Sequence, residues 1–113
     1  MKYEQHDLDL AIHDYADHIV ANYRRWSDLR SLKDNDPSKF QVTFARGRKF
    51  IKVIDISWGS RSVHSFICVQ PHDQWKFGDI LKAASWAAPA KNFARGNVLD
   101  PDSYKNTVSW TGA

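Results

Sequence analysis

Between Asp7 and Leu32 the apolar residues Leu8, Ile12, Tyr15, Ile19, Tyr23 and Trp26 recur at steps of three and four. That is the period of one helical face, and it is too long and too regular to be read as a strand. The spacing predicts a helix over residues 7–32. A helix with one apolar stripe must bury it, so the rest of the chain has to offer an apolar surface of matching size. Asp7 is placed to cap the first turn, and Asp9 lies where the positive end of the helix dipole favours an acid. Arg24 and Arg25 lie towards the end that favours bases. Lys33-Asp34-Asn35-Asp36-Pro37-Ser38 is a polar turn segment whose proline bars continuation of the helix.

The surface that covers the stripe is a sheet. Phe40, Val42 and Phe44 alternate with polar residues, Lys49 to Trp58 is rich in β-branched residues, and Arg61 to Gln70 alternates again up to Pro71. Arg46-Gly47-Arg48 and Gly59-Ser60 are the reversals between these runs. A longer loop with Trp75 and Phe77 leads to a fourth run from Gly78-Asp79. The reading is one α+β domain over residues 1–113, an N-terminal amphipathic helix packed on a four-stranded antiparallel meander. Its strands fall at about 40–46, 49–58, 61–70 and 79–85. Residues 89–113 form an irregular tail, pinned to the body by Phe93, Val98, Tyr104, Val108 and Trp110 and frayed at its end. In the third strand, Val63, Ile67 and Val69 are assigned to one face and His64, Phe66 and Cys68 to the other.

With 113 residues, 42% of them apolar and 26% charged, the chain can bury a core without disulfides or a structural metal. No apolar run reaches bilayer-spanning length, and Met1 to His6 lacks a signal-peptide core, so a cytoplasmic protein with no membrane partner is expected. Cys68 is alone and reads as a small buried residue of a strand. Charge is uneven. Residues 1–36 carry eight acids against five bases, residues 37–99 ten bases against three acids, and residues 100–113 two acids and one base. A middle of +7 beside an acidic helix suits an anionic partner, or complementarity within the molecule.

Three groups of residues invite a chemical reading. His13, Asp14, Asp17 and His18 lie on one arc of the helix, but a single helix face rarely gives one ion more than two ligands. That arc reads as a solvated face opposite the stripe, without metal. His64 stands beside Ser62 and Ser65, and residues 62 and 64 share a strand face. No Gly-x-Ser-x-Gly turn holds a nucleophile, so a half-buried histidine bonded to backbone or tail is favoured over a catalytic one. The third group is basic and aromatic: Arg46, Arg48, Lys49, Lys52, Arg61, Lys76, Lys82, Lys91 and Arg95 are interleaved with Trp58, Trp75, Trp86 and Phe93. Cations for phosphate beside exposed rings for bases are what surfaces that bind single-stranded nucleic acid combine. The alternative is that the rings anchor the tail and the cations solubilise the sheet.

One stretch reads as a motif. Gly78-Asp79, Lys82-Ala83-Ala84-Ser85-Trp86 and Ala88-Pro89-Ala90-Lys91 precede Arg95-Gly96-Asn97, and upstream stands Arg61-Ser62-Val63-His64-Ser65-Phe66. In these segments the chain resembles a group of small, uncharacterised proteins encoded by tailed bacteriophages. The resemblance implies a phage origin, and so the host cytoplasm, but no reaction. The expected function is that of a non-enzymatic phage accessory protein that binds an anionic ligand, single-stranded nucleic acid first. Arg61, His64, Lys82, Trp86, Lys91, Arg95 and Asn97 are its expected binding residues, with Lys82, Trp86, Lys91 and Arg95 on one rim and Gly96 aiming Arg95 and Asn97. No catalytic residue, metal or cofactor is expected. Two alternatives stand beside it: an interaction module that engages a host protein through the outward helix arc, and a binder or enzyme for a small phosphorylated ligand near His64, Lys82 and Arg95. A pocket lined by His64 and Arg95 favours the last.

Overall fold

A computed structural model describes residues 5–29, 40–57, 59–71, 74–90 and 93–113. The expected turn at 33–38 and the expected helix end at 30–32 lie outside the described residues, as do Trp58 and Lys91. The elements are α1 (Gln5–Leu29), β1 (Phe40–Arg46), β2 (Phe50–Ser57), β3 (Ser60–Cys68), β4 (Ile80–Lys82) and a short 3-10 turn (Pro101–Ser103). The four strands form one antiparallel sheet in the order β1-β2-β3-β4, the α+β meander that the sequence predicts.

The helix stripe lies where its period puts it. Leu8, Ile12, Tyr15, Ile19 and Tyr23 are buried with Phe40, Ile51, Val53, Ile67 and Ile80 of the sheet. Tyr23 stacks on Phe40 with ring centroids 4.5 Å apart. At the helix start, Asp9 accepts from Arg46 Nη2 at 2.5 Å, tying α1 to the end of β1. The tail completes this layer, with Val98, Tyr104 and Val108 buried in the same core and Trp110 packed against it. Phe93 is the exception among the expected tail anchors, at 66% exposure. The last residues do not fray as expected. Ser109 and Gly112 exchange backbone hydrogen bonds of 3.0 and 3.2 Å, and Ala113 packs against the core.

The opposite sheet face has its own smaller core, in which Phe66, Cys68 and Leu81 are covered by Trp75. Trp75, expected in the basic aromatic surface, is only 7% exposed and packs with Phe50 at a centroid distance of 5.9 Å. Burial also pushes the Cys68 thiol up from its ordinary value, as suits a packing residue. Among the described residues no helix is long and apolar enough to cross a membrane.

Two departures from the expected strands shape the functional face. The first is a bulge. Val53 pairs with Ser65 but Ile54 pairs with Val63, so His64 is an extra residue on β3 with no partner on β2. A bulge shifts the alternation by one and re-aims the side chain beside it. Val63 therefore joins Phe66 in the smaller core, and not Ile67 as strict alternation requires. His64 shares the helix side with Ser65. The second departure is the length of β4. The sequence predicts a strand that runs to residue 85, yet against β3 only Ser65↔Lys82, Phe66↔Leu81 and Ile67↔Ile80 pair. Past Lys82 the backbone bonds to itself, Ala84 and Ser85 both donating to the Ala88 carbonyl. β3 continues back to Ser60 without β4 beside it, and the space where β4 turns away is concave.

Candidate anion-binding site

The free edge of β3, the end of β4 and the tail enclose a cavity of about 460 Å³. His64, Lys82, Arg95, Thr107, Ser109 and Thr111 supply its polar lining. A second cavity of about 360 Å³ adjoins it, lined by Arg61, Ser62, Ser85 and Trp86. Val63 and Ala83 line both, so the two are neighbours. No Asp or Glu side chain among the described residues lines either part, while Arg61, Lys82 and Arg95 do.

Arg95 is placed by its backbone. Its N–H donates to Ile80 O at 2.7 Å, and its carbonyl accepts from Thr107 Oγ1 at 2.6 Å, which joins two cavity residues directly. Gly96 follows at φ +144, where an added Cβ would lie 2.9 Å from Ser103 O, so only glycine fits the approach. The Arg95 guanidinium lies over the Phe93 ring at 4.2 Å, and its Nε is buried without a hydrogen-bond partner. Arg95 lines the cavity, so the donors that its guanidinium has to offer an acceptor there are those other than the buried Nε. Lys82 is exposed at the end of β4, as its charge predicts.

His64 lines the cavity but has no nitrogen to offer. It is 3% exposed. Its Nε2 lies 2.7 Å from Ser109 O, and a carbonyl can only accept, so Nε2 carries the hydrogen. Nδ1 lies 2.8 Å from Ser65 Oγ, which itself lies 2.8 Å from the Tyr15 hydroxyl. With a neutral ring the order follows: Tyr15 O–H donates to Ser65, Ser65 to Nδ1, and Nε2–H to Ser109. Burial holds the imidazole below its ordinary value, outweighing the bond to Ser109 and the nearby Asp55, and so favours this neutral form. Burial likewise raises the Tyr15 phenol, which stays protonated as a donor.

The pairing of Ser62 with His64 does not occur. Ser62 Oγ donates to Asp55 Oδ1 at 2.8 Å, on a residue that the bulge separates from the imidazole. Ser65, which does meet His64, is fully buried and out of reach of a substrate. His18 leaves the solvated arc as well: it bonds Val108 O at 2.8 Å and packs edge-on to Tyr104. His13, Asp14 and Asp17 stay exposed on that arc, beside Leu10 at its surface. Among the described residues no group of three or more His, Cys, Asp or Glu side chains is arranged to hold a metal ion.

The expected binding residues thus divide. His64, Lys82 and Arg95 meet in the larger cavity, and Arg61 and Trp86 in the smaller. Asn97 belongs to neither. Its Nδ2 donates to Phe77 O and Asp79 Oδ1, and its Oδ1 accepts from Leu99 N–H, so the amide holds the loops together. Gly78, at φ +89, leaves room for that amide; a Cβ there would lie 2.6 Å from Asn97 Oδ1. Sequence reading missed the hydroxyls Thr107, Ser109 and Thr111. Their only signal is a Thr-x-Ser-x-Thr alternation in a tail that has too little apolar pattern to place it.

No curated protein and no solved structure matches this chain. A family model does match it, over residues 2–113. The chain belongs to the family of unknown function DUF7717.

Proposed function

We propose that the protein binds a small phosphorylated ligand in the cavity between Lys82 and Arg95. One observation carries this reading: two cations and the hydroxyls of Thr107, Ser109 and Thr111 converge on one concavity that no acidic side chain of the described residues lines. Phosphate oxygens take charge-assisted bonds from guanidinium and ammonium, and the Ser109–Thr111 pair, whose hydroxyls lie 2.7 Å apart, has one hydrogen left to donate, whereas Thr107 spends its own on Arg95 O. We take the role to be binding; the bonds at both nitrogens of His64, which leave no free imidazole base at the site, support that reading. In the same proposal the protein is a phage accessory protein of the host cytoplasm.

Isothermal titration with ribose 5-phosphate and with pyrophosphate tests the reading. Binding is expected that weakens with added salt. A charge-assisted bond is worth about 1.5–3 kcal/mol, so Arg95→Gln and Lys82→Gln should each cost about tenfold or more in affinity while leaving Tm unchanged. No heat at millimolar ligand refutes it.

A second reading, single-stranded nucleic acid, is favoured by Trp86 and Phe93. Both rings are exposed and both carry a cation, Lys52 Nζ 4.5 Å from the Trp86 centroid and Arg95 over Phe93. An oligonucleotide whose affinity grows with length and falls steeply with salt would support it.

A further inference from the structure

The phosphate reading accounts for the larger cavity, but not for the one that adjoins it. That second cavity is built differently. Its prominent wall is Trp86, 52% exposed, at the tip of a turn that fixes its own shape. Ala84 and Ser85 donate to Ala88 O, and Ala87 N–H donates to Ser85 Oγ at 3.3 Å. The ring is therefore held out by a closed turn, with the Lys52 ammonium over it. A large aromatic kept out of the core on a hydrogen-bonded turn, beside a cavity, has the form of a stacking platform. Arg61 and the hydroxyls of Ser62 and Ser85 add donors and acceptors around it. Trp75, only eleven positions earlier, shows that the fold buries a tryptophan where the core needs one.

We propose, building on the phosphate reading above, that the two cavities are one site for a nucleoside monophosphate: the phosphate sits between Lys82 and Arg95 and the base lies against Trp86. Val63 and Ala83, which line both parts, form the floor on which the sugar crosses. These small side chains offer no acceptor or donor there, so the site reads the two ends of the ligand and tolerates the middle. Stacking is tolerant of base identity, so discrimination among bases rests on Arg61, Ser62 and Ser85.

The test compares three ligands on the full chain by titration calorimetry, with tryptophan fluorescence in parallel: AMP, ribose 5-phosphate and adenosine. AMP should bind about 5- to 150-fold more tightly than ribose 5-phosphate, the range of one stacked base. It should also quench emission in a way that Trp86→Ala abolishes. Trp86→Ala should reduce AMP affinity to that of ribose 5-phosphate, leave ribose 5-phosphate binding and Tm unaltered, and be rescued in part by Trp86→Phe. Equal affinities for AMP and ribose 5-phosphate in the wild-type protein would overturn the nucleotide proposal and leave the phosphate reading standing. No binding of either overturns both. Binding of an eight-residue oligothymidylate without binding of AMP or TMP overturns the proposal in favour of the polymer.

Discussion

His18 on the helix and His64 on the sheet donate to the carbonyls of two consecutive residues, Val108 and Ser109. A third side chain, Asn22, accepts from the N–H of the next residue, Trp110, at 2.9 Å. The tail segment that supplies the cavity hydroxyls is thus fastened on both sides by side chains rather than by a strand ladder. The geometry of the site depends on those bonds.

Stability should fall on mild acidification. His64 has its folded-state value below the ordinary 6.5, chiefly because burial disfavours the cation. The unfolded chain then binds more protons between the folded value and 6.5, so stability rises with pH through that window and is complete above it. Urea midpoints measured from pH 7.5 downward should drop as the pH passes below about 6.5. His64→Gln should flatten that dependence. A wild-type midpoint unchanged down to pH 5 would contradict the assignment.

Ile19→Ala should cost about 2–5 kcal/mol in unfolding free energy, through lost transfer and the cavity left behind. Ile19 is fully buried in the centre of the stripe. A cost under about 0.5 kcal/mol, the usual range at a surface site, would mean that another face of α1 meets the sheet.

The tryptophans at 75 and 86 should respond oppositely to truncation. Trp75→Ala should remove about 3–5 kcal/mol, because its ring closes the smaller core. Trp86→Ala should change stability by less than about 1 kcal/mol, chiefly the exposed contact with Lys52. Chemical denaturation of both variants separates scaffold from rim.

Asn97→Ala should destabilise by about 1–3 kcal/mol, the cost of leaving partly buried partners unsatisfied. Phe77 O, Asp79 Oδ1 and Leu99 N–H would all lose that amide. If Asn97 touched the ligand, the same variant would weaken ribose 5-phosphate binding at unchanged stability, and the two effects can be read from one preparation.

The helix and the meander were legible because their information is periodic. The stripe from Leu8 to Tyr23 is buried at every position that the three-four spacing names, and the Gly47 and Gly59 reversals fall between paired strands. What was not legible breaks a period. A bulge is one residue out of step, and nothing in Ser62-Val63-His64-Ser65 distinguishes it from continuous alternation, so His64 was assigned to the wrong face. β4 was read too long because Ala83-Ala84-Ser85 carries no strong preference, and the turn that ends it is set by bonds to Ala88. Trp75 stands between Gln74 and Lys76 and Trp86 between Ser85 and Ala87, and neither set of flanks foretells which ring is buried; that is decided by a loop whose path no local pattern dictates. The exposure of Lys82 was legible for a simpler reason: a charge at the end of a short strand is costly to bury.

The bonds that close the cavity join residues far apart in the chain: 45 positions separate His64 from Ser109, and 90 separate His18 from Val108. Contacts of that sequence separation carry a loop-closure cost that local helix and hairpin contacts do not. The pocket exists only where the tail is docked against helix and sheet, so its formation is a step distinct from that of the hairpins. A ligand that bridges Lys82 to the hydroxyls of the tail would act on that step alone, slowing undocking while leaving the hairpins as they were.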